Sequence, residues 1–413
     1  MTNGMDRQIV KRFRFLVTLL LVALLSAGTG SALPRTATAQ GTPVASEEAG
    51  QFTPVLQEVL ATPRWFTGAD GRVHLVYELM LTNALSLPAT VTAVDVLDAG
   101  DGRPVATLVG ASLVNAMSLL SAANEPTTTL PPGNVGVVWF DISLDNPEEI
   151  PASIEHRITV TLPPGLPVPL TVKSIAGAAE VDLQPPRVLG APVSGPGWVA
   201  LGSCCDGPHR RAVQPFNNQI YLTQRYAIDF NVLDAEGRLA SSDGTLEGDP
   251  SFGQPILAVA DATVVEAVDQ YPDQDPNNPT PVTGDEVNGN HVLLDLGDGA
   301  YAFYAHLRSG SVDVQAGDTV TQAQVIGELG NSGNSTGAHL HFQVVDSPSI
   351  VADGLPYVFD QFELTGQTPP IDVVIDLALQ GEPIPLETVG AGPRSDALPL
   401  GRDVVTFAPE PAG

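Results

Sequence analysis

Short stretches of alternating apolar and polar residues, separated by turn residues, dominate this chain. Over residues 73–82 the period is two. Val73, Leu75, Tyr77, Leu79 and Leu81 fall on one face, and His74, Val76, Glu78 and Met80 on the other. Side chains two apart share a face of a β-strand, so the stretch predicts a strand. Comparable runs at 91–97, 135–142, 154–162 and 170–175 predict further strands, with turn signals between them. Regular short strands of this kind predict an immunoglobulin-like β-sandwich over residues 54–191. A proline- and glycine-rich stretch, 185–197, then marks a boundary. Beyond it, runs at 220–223, 226–230, 256–265, 291–296, 301–306 and 340–345 predict a second β domain, residues 192–365. The remaining residues, 366–413, read as a proline-rich tail with strand-like runs at Ile371–Leu379 and 403–407. The pattern does not say where those runs dock. The predicted fold class is therefore all-β.

Composition sharpens this picture. Forty glycines and 37 prolines in 413 residues, with aromatics at 6%, favour turns and short strands over long helices. A formal charge of −29 argues against nucleic acid or an anionic membrane surface as partner. Arg7, Lys11, Arg12 and Arg14 precede an apolar run at 15–25. Ala37-Thr38-Ala39 forms a cleavage site, with Gly30-Ser31-Ala32 as an earlier alternative. Residues 1–39 thus read as a signal peptide and 40–53 as a linker. The apolar run is short for a membrane span. Expected is a secreted or cell-envelope protein with no integral span after cleavage; an uncleaved anchor is the alternative. The two cysteines, Cys204 and Cys205, are adjacent. They can bond to each other, bond between chains, or remain thiols.

Chemistry concentrates in Asn331-Ser332-Gly333-Asn334-Ser335-Thr336-Gly337-Ala338-His339-Leu340-His341-Phe342. Its first eight positions are small and turn-forming; it then enters a strand. His339 and His341 project from one face of that strand, an arrangement suited to metal binding and acid–base work. The segment from Gly330 to Phe342, together with Tyr304-Ala305-His306-Leu307, resembles the lysostaphin-type zinc endopeptidases. So do Val314-Gln315-Ala316-Gly317-Asp318-Thr319-Val320 and Gln324-Val325-Ile326-Gly327, where that family has a hairpin. The resemblance covers roughly residues 200–362. It implies an antiparallel β metallopeptidase domain of the duplicated-hybrid-motif kind, a Zn2+ cofactor, and peptidoglycan peptides as substrate. It further implies His341 and Asp229 as metal ligands, with His306 and His339 beside the metal as catalytic residues.

The family's remaining ligand is a histidine four residues before the aspartate. Here that position is Arg225, which has no lone pair to give. Either the site is broken or another histidine substitutes. Of seven histidines, His74 and His156 fall in the first domain, where structural roles are expected, and His306 and His339 already have roles. His209, after Gly207-Pro208, is the candidate third ligand. His291, on a strand face expected to be exposed, and Cys204 or Cys205 are the alternatives. Arg225 itself could orient Asp229, bind a substrate carboxylate or have a structural role instead. An insertion at 271–289 begins like a calcium loop, with Asp273, Asp275 and Asn277, but lacks that loop's glycine and glutamate. It reads as a polar loop at the rim of the cleft. Two functions stand: an exported zinc endopeptidase acting on peptidoglycan, or a degenerate, metal-free module that binds the wall or regulates a hydrolase.

Overall fold

A computed structural model describes residues 50–409, apart from 166, 206, 241–243 and 350. The expected signal peptide and most of the expected linker lie outside these residues. Among the described residues no helix is long and apolar enough to cross a membrane.

The first half is two antiparallel sheets facing one another. In one sheet Val55–Val59, Val73–Asn83, Val135–Leu144, Met117–Leu119 and Ala122–Pro126 are successive neighbours, and Arg64–Thr67 pairs with Val73–Asn83. In the other the order is Thr171–Glu180, Ser153–Thr161, Ala89–Asp98, Pro104–Val109. Leu75, Tyr77, Leu79 and Leu81 share a core with Val94, Val96, Ile158 and Val160 from the facing sheet. Both histidines of this half have structural roles. The buried His156 donates from Nδ1 to the Gly177 carbonyl and accepts at Nε2 from the Tyr77 hydroxyl, each at 2.9 Å. His74 Nδ1 lies 2.8 Å from an Asp141 oxygen.

The second face of Val73–Asn83 is not turned to water, as simple alternation would have it. Glu78 is 0% exposed and Val76 1%. Phe66, Ala69 and Val76 belong to the core of the second half, so an apolar seam runs between the two halves. Residues 52–413 accordingly form one compact unit.

The second half is built on a long sheet. Its order is Arg187–Leu189, Tyr357–Gln367, Asp403–Thr406, Trp198–Leu201, Ile228–Val232, Leu340–Val345, Tyr301–Leu307, Asn290–Asp295, Ala262–Val268, Thr319–Val320. Only Arg187–Leu189 runs parallel to its neighbour. The sheet extends beyond the expected limits 192–365 at both ends. The two strand runs expected to form a hairpin turn to different partners: Thr319–Val320 pairs with Ala262–Val268, and Val325–Glu328 with Pro255–Leu257.

The tail is not a loose appendage. Asp403–Thr406 sits inside the sheet, between Trp198–Leu201 and Tyr357–Gln367. The other run, Ile371–Leu379, is an α-helix rather than a strand. Pro370 immediately before it fixes φ at −52°, close to helical, and removes a donor the first turn would leave unsatisfied anyway. Only Val374 of this helix is fully buried, in a small cluster with Val199, Leu239, Ile384 and Val404. Its run of β-branched residues explains why it read as a strand.

Candidate metal centre

Strand register assembles the site. Asp229 in Ile228–Val232 lies opposite His341 in Leu340–Val345, and His341 lies opposite Ala305 in Tyr301–Leu307. His306 follows with φ at +64°, a left-handed conformation uncommon outside glycine that turns its ring into the groove. Leu201 pairs with Asp229 from the other side. Here the chain leaves the sheet at Gly202, forms a disulfide between Cys204 and Cys205, and returns through the 3-10 turn His209–Arg211. The tail fastens this loop: Ser203 Oγ donates to the Pro399 carbonyl at 2.6 Å, and the Gly401 amide to the Cys204 carbonyl at 3.2 Å.

His209, Asp229 and His341 thus converge from three segments, with one potential ligand atom from each and all within 4.8 Å of one another. His209 Nε2 is 3.2 Å from Asp229 Oδ2, and His341 Nδ1 is 2.9 Å from Asp229 Oδ1. His339 Nε2 stands 3.7 Å from the same Oδ1. The His306 ring centroid is 4.7 Å from that of His339 and 6.0 Å from that of His341. All five residues named from the sequence are therefore together.

Each imidazole has its outer nitrogen occupied. His209 donates from Nδ1 to Gly202 O at 3.2 Å, His306 from Nδ1 to Ser332 O at 2.8 Å, and His339 from Nδ1 to Gly337 O at 2.8 Å. His341 turns Nε2 to Gln343 Oε1 at 3.0 Å. Backbone and amide oxygens only accept, so each of these outer nitrogens carries its ring's hydrogen. The inner nitrogens then hold lone pairs or extra protons. Four imidazolium ions cannot gather round one carboxylate, because like charges at these separations repel strongly. Lone pairs and a carboxylate therefore face a common space, which is what a divalent cation requires.

The carboxylate and the imidazoles are strongly coupled. Burial pushes the Asp229 carboxyl up, but the imidazoles of His339 and His209 and hydrogen bonds from His209 and His341 outweigh it, holding it well below the usual carboxylate range. Burial lowers His209, yet the Asp229 carboxylate raises it on balance. For His306, burial comes first and the nearby His339 and His341 act in the same direction, so its pKa falls well below the ordinary imidazole value. His306 is accordingly neutral.

The surrounding groove has a volume of about 690 Å³. Amide side chains from Gln214, Gln224, Asn288, Asn334 and Gln343 line it, and among the described residues no lysine or arginine does. The 271–289 insertion contributes Asn288 to this rim. Asp273, far from holding a cation, accepts hydrogen bonds from the backbone amides of Asn331 at 2.8 Å and Ser309 at 3.1 Å. It thereby braces the loop that leads into His339.

One expectation needs correction, and the alternatives left open for the cysteines and for Arg225 are narrowed. His291 is not on an exposed face: it is 7% exposed, caps its own turn through Gly289 O, and lies outside the three-residue cluster although it lines the groove. Neither cysteine offers a free thiol, since they are bonded to each other. Arg225 neither orients Asp229 nor faces the groove. It is 2% exposed and gives three hydrogen bonds of 2.8–3.2 Å to Glu78 of the sandwich. Sequence reasoning also passed over Gln343. Its position two residues after His341, on the same strand face, was the available signal.

Gly202 sets the His209 ring. With φ at +65°, it would bring an added Cβ within 2.7 Å of that imidazole. Gly202→Ala is expected to displace His209 and weaken metal binding by tenfold or more, measured by competition with a chelator. Unchanged affinity would show that the close packing is incidental.

Two imidazole side chains and one carboxylate beside an open groove make a donor set suited to a metal ion. Comparison with known proteins places that class. Peptidase family M23 matches residues 245–351, a span that includes His306, His339 and His341 but stops short of Asp229 and His209. Glycyl-glycine endopeptidase ALE-1 of Staphylococcus capitis is 33% identical over 112 residues, 26% of this chain and 26% of that protein. The match thus spans about a quarter of the curated relative's length. The catalytic domain of lysostaphin from Staphylococcus simulans aligns at 24% identity over 39% of this chain and 84% of its own, with a TM-score of 0.22. A zinc-containing peptidase from Vibrio cholerae aligns at 14% over 66% and 78%, with a TM-score of 0.21. Scores of that size carry no statement about overall shape. Residues 245–351 thus carry the match to the M23 peptidases, the family that the lysostaphin-type motifs pointed to.

Proposed function

We propose that the protein is an exported, zinc-dependent endopeptidase that hydrolyses peptide bonds of bacterial peptidoglycan. The observation that carries this reading is the set of inner imidazole nitrogens directed with Asp229 at one space. His209, Asp229 and His341 would hold the metal. A zinc ion there would supply Lewis acidity and bring the pKa of a water near neutrality. The remaining steps fall to the chain's own groups. His306, held neutral by burial and by its neighbours, accepts a proton from the attacking water. His339, anchored through Gly337 and Ser335, orients that water, and the proton taken up by His306 passes to the leaving amine. The amide-lined groove suits hydrogen bonding to a peptide backbone, and its lack of basic residues disfavours strongly anionic ligands.

The wall peptide as substrate rests on the match to ALE-1, whose name describes a glycyl-glycine endopeptidase. The N-terminal sandwich is best read as immunoglobulin-like, because its two sheets share one core and run antiparallel throughout. The second reading, a metal-free binding module, draws on Arg225 at the family's ligand position. One experiment separates the two. Mature protein is analysed for metal and incubated with purified peptidoglycan, and new amino termini are counted. About one zinc per chain with new termini supports the enzyme. No zinc and no new termini leave the binding module.

A further inference from the structure

Glu78 lies at the middle of the sandwich strand Val73–Asn83 and is wholly buried. A lone buried carboxylate is unfavourable, and both of its cationic partners come from the other half of the chain. Arg225 grips it through Nε and Nη2, with contacts of 2.8–3.2 Å. Arg210 Nε is 3.7 Å from Glu78 Oε1. Arg210 also donates to Tyr77 O at 3.3 Å and to Phe140 O on the sandwich, and to Cys205 O at 3.1 Å on its own loop. Arg211, one residue on, donates to Ala123 O at 2.9 Å and Asn115 O at 3.1 Å, and its guanidinium stacks over Trp139.

The placement of these arginines in sequence matters. Arg210 is the residue after His209. Arg225 is four residues before Asp229, on the segment that feeds Ile228–Val232. One sandwich carboxylate therefore ties together two separate segments, each of which delivers one member of the three-residue cluster. His209 has no strand of its own to hold it. Its 3-10 turn is fixed by its neighbours' grip on the sandwich and by the Gly202 carbonyl.

We propose that the N-terminal sandwich is a working part of the metal site, and that Glu78 is a positioning residue that sets His209 against Asp229 through Arg210 and Arg225. This rests on the reading of His209 as a ligand. It assigns the sandwich a role that a detachable spacer or wall-binding module would not have. It also gives a reason for arginine at position 225: with the ligand supplied from the sandwich-facing turn, that position serves to lock the two halves together.

The test uses the full mature chain and reads zinc affinity by chelator competition, alongside the visible absorption of the cobalt(II)-substituted protein. Glu78→Gln is expected to weaken zinc binding about tenfold or more, the range typical of partners that orient ligands, and to alter the cobalt spectrum. Should Glu78→Gln fail to fold, Glu78→Leu combined with Arg225→Leu removes both charges and replaces them with packing, a change buried ion pairs often tolerate. The same weakening is expected there. Arg157→Gln, which removes an ion pair with Asp95 in the facing sheet, is the control and should leave affinity unchanged. A folded Glu78 variant with wild-type affinity and spectrum overturns the proposal. Failure of the underlying reading looks different: the wild type binds no zinc, or His209→Ala binds it as tightly as the wild type.

Discussion

His209→Ala is expected to strip zinc from the protein and, on the proposed function, to abolish cleavage of wall peptides while the fold survives. The side chain reaches its place only by the Gly202 loop and the 3-10 turn, and its Nε2 is one of three potential ligand atoms. With His209 gone, Asp229 and His341 are left, and two protein ligands do not make a catalytic zinc site. The loss of affinity should exceed the ~10–100-fold typical of groups that merely support a ligand. Neither alternative named from the sequence can step in, because His291 stands outside the cluster and the cysteines are bonded to each other. His209→Cys offers a soft donor at the same position and should recover part of the binding. Equilibrium dialysis against zinc at neutral pH is the measurement. Wild-type affinity in His209→Ala would remove His209 from the site altogether.

His306→Ala and His339→Ala are expected to behave in the opposite way. Each keeps its zinc and loses turnover by on the order of 10²–10³-fold, the usual consequence of removing a group that stabilises the transition state. The division of roles is most exposed at His339. Its Nε2 is 3.7 Å from Asp229 Oδ1, near enough to compete for the metal if the assignment were wrong. Metal analysis beside a peptidoglycan digest decides for each variant. Zinc lost from His339→Ala would make it a ligand and return His209 or His341 to a supporting place. For His306 the pH profile adds a second reading. A neutral base with a depressed pKa keeps the acid limb of the profile low in pH, and that limb should disappear in the variant.

The site was legible where its chemistry is local. His339 and His341 announce themselves because a strand repeats every two residues and the preceding loop is glycine-rich. Asp229 and His306 came with the family resemblance around 226–230 and 304–307. His209 could be reached only by elimination, since what places it is the pairing of Leu201 with Asp229 and the grip of Arg210 on a strand more than a hundred residues away. Glu78 was out of reach. Within its strand it occupies a polar position on what alternation marks as the outer face, and the second half of the chain covers that face. Of the readings open for Arg225 the structural one holds, but its partner was out of reach for the same reason: it lies 147 residues away, and no local pattern points to it. The tail shows the limit of periodicity. Ile371–Leu379 is apolar except at Asp372 and Asp376 and rich in β-branched residues, which reads as a strand, whereas Val404 and Val405, buried between two strands, carry the strand signal of Asp403–Thr406.

The place of Asp403–Thr406 also fixes a sequence of events in time. It follows every other strand in chain order, yet it lies inside the sheet and pairs with Trp198–Leu201, from which the His209 loop departs. Residues 399 and 401, just before it, hold that loop through Ser203 and Cys204. A nascent chain that has emerged only as far as residue 380 carries His306, His339 and His341 but cannot close the sheet beside them. The candidate metal site is therefore completed only when nearly the whole described chain has emerged, since its last strand in chain order lies in the middle of the sheet that carries it.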